Sequence, residues 1–323
     1  MPGTCEEDRN EKPEIETASF HPLAGAAEIK DWVALLKPRV MALVVFIGLT
    51  GVLVAPGNLH PALAFTAVLC IAVAAGAAGA INMWYDRDID ALMRRTASRP
   101  IPAGRIAAGA ALCYGVTLAT GAVLVMFLAT NLAAASLLAL SILFYVFVYT
   151  IWLKRRTPQN IVIGGAAGAF PPVIGWAAVT GSVDVIPLIL FAIVFFWTPP
   201  HFWSLALFAH EDYARAGVPM LPVVAGAKET RRQILIYTLI LLPTSLMPWA
   251  LGFSGLVYVV SAILLDIGFF GCVWFVWRDR QDAAGVSLTN DTPARTAFKY
   301  SILYLFLLFA ALSADRLVGM PLG

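Results

Sequence analysis

The chain has 323 residues, of which 60% are hydrophobic and 13% charged, with a mean hydropathy of +0.80. Soluble domains carry about a quarter charged residues, so this composition excludes a single aqueous globule and points to a polytopic membrane protein. The formal net charge of +2 decides little, because where the charges fall matters more than their sum.

Residues 2–31 are polar and acidic and lack the apolar core of a secretion signal. They are expected to form a disordered aqueous tail over 1–31, ahead of one all-α transmembrane domain over 32–323. Nine stretches then approach the ~20 apolar residues that cross a bilayer, at 39–56, 61–84, 106–129, 131–153, 160–180, 184–208, 233–252, 255–277 and 297–318. The fifth is rich in Gly and Pro, and Pro171-Pro172 predicts a kink. The sixth contains TPPHFW, where Pro199-Pro200 predicts a helix break close to the membrane surface. The four cysteines, Cys5, Cys70, Cys113 and Cys272, are scattered and read as packing residues.

Of the 22 Lys and Arg residues, all but Arg316 lie ahead of or at the start of span one, or in and at the edge of the connections after spans two, four, six and eight. The positive-inside rule therefore predicts a cytoplasmic N-terminus and an outside C-terminus, in a bacterial inner membrane or its mitochondrial equivalent. The long connections, 85–105, 209–232 and 278–296, share the basic side, so chemistry is expected there.

The first of them opens with NMWYDRDIDALMRRTASR, residues 82–99. Asn82, Asp86 and Asp90 stand four residues apart, a drift of only about 80° around a helix, so they share one face while Asp88 points away. Two carboxylates on one face invite a cation, and an oxygen-donor cluster suits Mg²⁺, which completes its sphere with water and phosphate oxygens. Arg94, Arg95 and Arg99 follow, and the next basic connection supplies Lys154, Arg155 and Arg156. Arginine matches phosphate geometry. Any one of these cations also serves as a juxtamembrane anchor, but the concentrated set describes a seat for a diphosphate whose tail lies in lipid. The small-residue walls of spans two and five, with Gly164 and Gly168, would leave a groove for that tail.

The third region, FFWTPPHFWSLALFAHEDYARAGVPMLPVVAG, places His201 among Trp197, Phe202 and Trp203, followed by His210, Glu211 and Asp212. A histidine there serves as a base, as a haem-iron ligand or as an interfacial side chain.

Together the three stretches, NMWYDRDIDALMRRTASRPIPAG, YTIWLKRRTPQNIVIGGAAGAFPPVIGW and WTPPHFWSLALFAHEDYARAGVPMLPVVAG, resemble the UbiA-type intramembrane prenyltransferases, and within them the haem-farnesylating branch. The resemblance spans about Trp32 to Arg316 and implies a nine-helix fold. It implies that Asn82, Asp86 and Asp90 hold Mg²⁺ and farnesyl diphosphate, with Asp212 as a further metal ligand, Asp86, Asp90 and His201 catalytic, and Arg95, Arg99, Lys154 and Arg155 on the diphosphate. It assigns His201, Trp203 and Tyr149 to haem binding or cation shielding. Relatives that prenylate aromatic rings carry a second aspartate-rich stretch at the end of span six; here His201 and Phe202 take its start and Asp212 stands beside Glu211. The implied partners are farnesyl diphosphate and haem B as substrates, the lipid bilayer, and a haem A synthase or oxidase assembly factors, with no nucleic acid. The rival readings are a UbiA-type enzyme acting on a quinone-ring acid or chlorophyllide, a transporter coupling ions through Asp86 and Asp90, and a non-catalytic haem carrier.

Overall fold

The computed structural model describes residues 27–282 and 285–319; most of the tail expected over 1–31 lies outside them. The chain is already helical at Ile29, in α1 (Ile29–Leu35), ahead of the boundary expected at residue 32. Its Asp31 is buried and accepts from Arg105 Nε at 2.8 Å, tying the segment to the loop after span two.

The spans are α2 (Pro38–Val54), α3 (Pro61–Tyr85), α5 (Ala108–Ala129), α6 (Leu132–Leu153), α7 (Asn160–Thr180), α8 (Val185–Phe208), α11 (Gly226–Ala250), α12 (Leu256–Trp277) and α13 (Thr292–Gly319). Eight are long and apolar enough to cross a membrane, and a ninth is reached when α1 and α2, bent by 58°, count as one span. Three short helices, α4 (Arg87–Leu92), α9 (His210–Arg215) and α10 (Leu221–Val224), lie in the connections. Among the described residues no strand forms, apart from one isolated bridge between Gln281 and Ser287. Large apolar side chains such as Phe65, Leu128, Leu264 and Phe275 stay exposed on the helices, as a lipid-facing surface requires. The chain is an integral membrane protein.

The expected break at Pro199-Pro200 does not occur, and α7 likewise runs through Pro171-Pro172 as one helix. In α8 the Thr198 and Ser204 hydroxyls bond the Val194 and Pro200 carbonyls, while the carbonyls that Pro199 and Pro200 leave without a helical donor are those of Phe195 and Phe196. Glycines set the α2–α7 crossing. A Cβ at Gly51 would lie 2.2 Å from the Pro172 carbonyl oxygen and one at Gly175 2.2 Å from that of Gly48, so these helices touch backbone to backbone.

The basic connections gather at one end of the bundle. Arg155 reaches Asp88, Arg105 reaches Asp31, and Ile89 and Met93 share a core with Tyr213, Val218 and Met220. At the other end Asn131 caps the end of α7, and Asp315 accepts from the backbone of Gly255 and Tyr258.

Candidate functional site

The site begins where α3 stops. Asp86 is the one residue between α3 and α4, and its N–H still bonds the Asn82 carbonyl, while the Asp90 N–H bonds the Asp86 carbonyl at 2.8 Å. Helical spacing therefore survives the junction, and Asn82, Asp86 and Asp90 are all buried, at 3%, 0% and 2% exposure. Asp88 turns outward, where Arg155 grips both its oxygens at 2.6 and 2.7 Å. That grip holds the Asp88 carboxyl below its ordinary range and raises Arg155.

The facing wall is the end of α6, which is a π-helix from Phe144 to Leu153. The wider turn bonds the Lys154 N–H to the Tyr149 carbonyl and the Thr150 hydroxyl to the Tyr145 carbonyl. π-turns concentrate at functional sites; here the turn aims Thr150 and Lys154 at α3. Asn82 Nδ2 donates to Asp86 Oδ2 at 2.6 Å and to Thr150 Oγ1 at 3.2 Å. Lys154 donates to the same Asp86 oxygen, and Arg155 reaches the other at 3.5 Å. Arg99, returning from the loop, donates to Asp90 Oδ2 at 2.6 Å. Thr96 pins that loop through the Asp90 carbonyl at 2.8 Å.

Sequence reasoning missed two members. Lys37, the residue before α2, donates to Asn82 Oδ1 at 2.9 Å. Its φ of 51° is left-handed, an unfavourable conformation for a lysine preceding a proline. In sequence it is indistinguishable from a juxtamembrane anchor. Thr150, fully buried, carried no signal at all, because the π-turn that presents it is not readable from spacing.

The remaining expected residues are distributed. Arg95 is exposed on the loop. Asp212, on α9, lies 3.7 Å from Arg215, and among the described residues no group of three or more His, Cys, Asp or Glu converges on a metal position. Tyr149 packs beside Tyr145 and onto Gly164, where a Cβ would fall 2.2 Å from its ring. Trp203 is buried against Tyr237, while His201 faces α13, so the three aromatic candidates do not share neighbours.

Beyond Tyr145 an apolar cavity of about 100 Å³ opens among Ile71, Ala74, Ala78, Gly168 and Pro171. Gly168 borders it with nothing within 4 Å of a would-be Cβ, whereas Gly164, expected to line the same groove, is a seat for Tyr149.

A bundle of membrane-spanning helices with a buried cluster of carboxylates and cations beside an apolar cavity defines a class: an intramembrane site for a molecule with an anionic head and an apolar tail. Residues 43–303 match the UbiA prenyltransferase family, and the chain belongs to that family. It is 67% identical over 296 residues to a protein of Granulibacter bethesdensis named protoheme IX farnesyltransferase, covering 92% of this chain and 93% of the relative. A protein of the same name from Acidiphilium cryptum is 68% identical over 288 residues, 89% and 91% of the two chains. Among solved structures, the fold is similar to a UbiA homologue from Aeropyrum pernix K1, with a TM-score of 0.67 at 18% identity over 88% of this chain and 99% of that one. A UbiA homologue from Archaeoglobus fulgidus bound to GPP and Mg²⁺ superposes with a TM-score of 0.59 at 17% identity, over 88% and 99%.

Proposed function

We propose that the chain transfers the farnesyl group of farnesyl diphosphate to a vinyl group of haem B, giving haem O and diphosphate. The observation that carries the transfer half is the polar cluster beside an apolar cavity: three buried ligating side chains, with Lys37, Arg99, Lys154 and Arg155 on them. The haem half rests on the name shared by relatives 67% and 68% identical over most of this chain.

The donor set fits Mg²⁺. Asn82 Oδ1 and the carboxylates of Asp86 and Asp90 are hard oxygen ligands, and two carboxylates with a diphosphate are a common octahedral complement. When bound, the ion would neutralise charge building on the departing diphosphate. Arg99 and Lys154 rest on these carboxylates and turn to the diphosphate oxygens as it enters; Lys37 and Arg155 join them. Fixed cations in a water-poor site stabilise developing negative charge more strongly than water does.

The C1–O bond of the prenyl donor then breaks with its electron pair passing to the diphosphate. The allylic cation forms a C–C bond with the terminal vinyl carbon, and water captures the new carbocation and loses a proton, leaving a hydroxyethylfarnesyl group. Tyr145, which lines the cavity, and Tyr149, its ring tilted against Tyr145 at 5.3 Å, screen the cation from the carboxylates and from water. The face carrying this cluster is the cytoplasmic one by charge placement, and the membrane is an inner membrane whose haem A synthase or oxidase assembly factors receive the product. Incubating the purified chain with haem B, farnesyl diphosphate and Mg²⁺ and weighing the extracted haem tests the reading. An added hydroxyfarnesyl mass supports it; unmodified haem with prenylation of a quinone-ring acid instead would refute it.

A further inference from the structure

Between the two buried carboxylates of the α3–α4 junction stands a third, Asp88, with no part in holding metal or substrate. Its side chain is 61% exposed, where that of Asp86 is wholly buried. Helical geometry sets the difference, since two residues on from Asp86 is about 200° around the axis. Its partner comes from the facing wall. Arg155, next to the lysine that bonds Asp86, donates Nη1 and Nη2 to the two Asp88 oxygens. The guanidinium lies over the Tyr85 ring at 4.9 Å, and Nη2 also donates to the Tyr85 carbonyl at 3.1 Å. Arg155 Nε is left sealed and without an acceptor, so the orientation of the group follows its grip on Asp88 rather than the needs of all its donors.

The two oxygens of Asp86 are unequal. Oδ2 accepts from Asn82 Nδ2 at 2.6 Å and from Lys154. Among the described residues Oδ1 meets only Arg155 Nη2, at 3.5 Å, the far end of hydrogen-bond reach. That same nitrogen lies 2.6 Å from Asp88 Oδ1, so the outer carboxylate draws it away from the inner one. An exposed ion pair stabilises a fold little. What this pair alters is the charge beside Asp86. Without Asp88, the anion nearest the guanidinium is Asp86 Oδ1, in a drier setting where opposite charges attract more strongly. Arg155 closed on Oδ1 and Lys154 on Oδ2 would together occupy the whole carboxylate, and a divalent ion would find neither oxygen free.

We propose that Asp88 is a positioning residue: it holds Arg155 at the rim and so keeps Asp86 Oδ1 open for the divalent ion. This rests on the reading of Asn82, Asp86 and Asp90 as the Mg²⁺ set, and it specifies which oxygen takes the ion and what keeps that oxygen free. The half-buried guanidinium, 31% exposed, stays within reach of an arriving diphosphate.

The test is Mn²⁺ binding to the full-length chain in nanodiscs, followed by electron paramagnetic resonance, with and without farnesyl diphosphate. Asp88→Asn should weaken binding of the ion alone about tenfold, the worth of one charged contact. The loss should be smaller with farnesyl diphosphate present, because the guanidinium then has another anion to take. In an Arg155→Met background the same substitution should change affinity by less than about threefold, since no guanidinium remains to close on Asp86. A purely structural role for Asp88 would persist in that background. Asp88→Asn binding Mn²⁺ as wild type does in both conditions, or a loss undiminished beside Arg155→Met, overturns the proposal. Asp86→Asn separates it from the reading beneath it. If Asp86→Asn binds the ion as wild type does, the metal set itself falls; if it loses the ion while Asp88→Asn keeps it, only the role of Asp88 falls.

Discussion

Two charge clusters occupy the same end of this molecule and differ in their accounts. At α11 the buried Arg231 lies 3.4 Å from Asp279 and 3.7 Å from Asp291, and donates to the Gly285 carbonyl at 3.0 Å. Thr289 completes Asp279 at 2.6 Å, and Asn290 and Asp291 adopt left-handed backbone to close the loop. There one cation answers two carboxylates and the loop supplies the rest. At α3 the balance is reversed. Asp86 and Asp90 are met by Lys154 and Arg99, Arg155 is shared with Asp88, and Lys37 rests on the neutral amide of Asn82. A closed cluster clasps a loop; one with surplus cations and a strained lysine has room for an anion.

The sharpest way to break this contrast is to neutralise each centre. Asp86→Asn or Asp90→Asn should reduce farnesyl transfer roughly a hundredfold to a thousandfold, while the purified protein elutes as wild type does; a rate within threefold of wild type would remove the site assignment. Arg231→Met should leave Asp279 buried and unpaired and lower unfolding stability by about 3–5 kcal/mol, without moving the KM for farnesyl diphosphate. Lys37→Met tests the reverse pattern. Diphosphate affinity should fall about tenfold, the value of a charged contact, and the thermal midpoint should hold or rise as an unmatched charge disappears.

Exchange of partners gives a subtler difference. A divalent ion arriving alone must evict Lys154 and Arg99, whereas with a diphosphate present those cations have a destination. Mn²⁺, followed by paramagnetic resonance, should bind at least tenfold more tightly when farnesyl diphosphate is present; equal affinity in both conditions would contradict the exchange.

Acid gives the smallest and most discriminating signal. The Arg155 grip lowers the Asp88 pKa, so its stabilisation is present above the ordinary carboxylate range and is lost as pH falls through the depressed value. Burial raises the pKa of Asp291, so the folded state holds its proton more firmly than the unfolded chain and gains stability as pH falls through the same range. Unfolding of Asp88→Asn and Asp291→Asn across acidic pH should deviate from wild type with opposite signs.

Much of this was written in one dimension. Apolar runs of bilayer length and basic residues on alternate connections determine the number of spans and which ends lie together, because lipid forces each backbone to bond within its own helix. The four-residue spacing of Asn82, Asp86 and Asp90 determines their common face, since helical geometry is local. Tertiary structure decided the rest. The double proline expected to break α8 lies inside one continuous helix packed in the bundle. Lys37 entered the site because the turn before α2 throws it back onto α3, and Thr150 because a π-turn rotates it inward. His201 found a hydrogen-bond partner in a serine 100 residues away. Local periodicity specifies what a segment is; which side chain completes another's hydrogen bonds depends on how distant segments pack, and sequence spacing does not encode it.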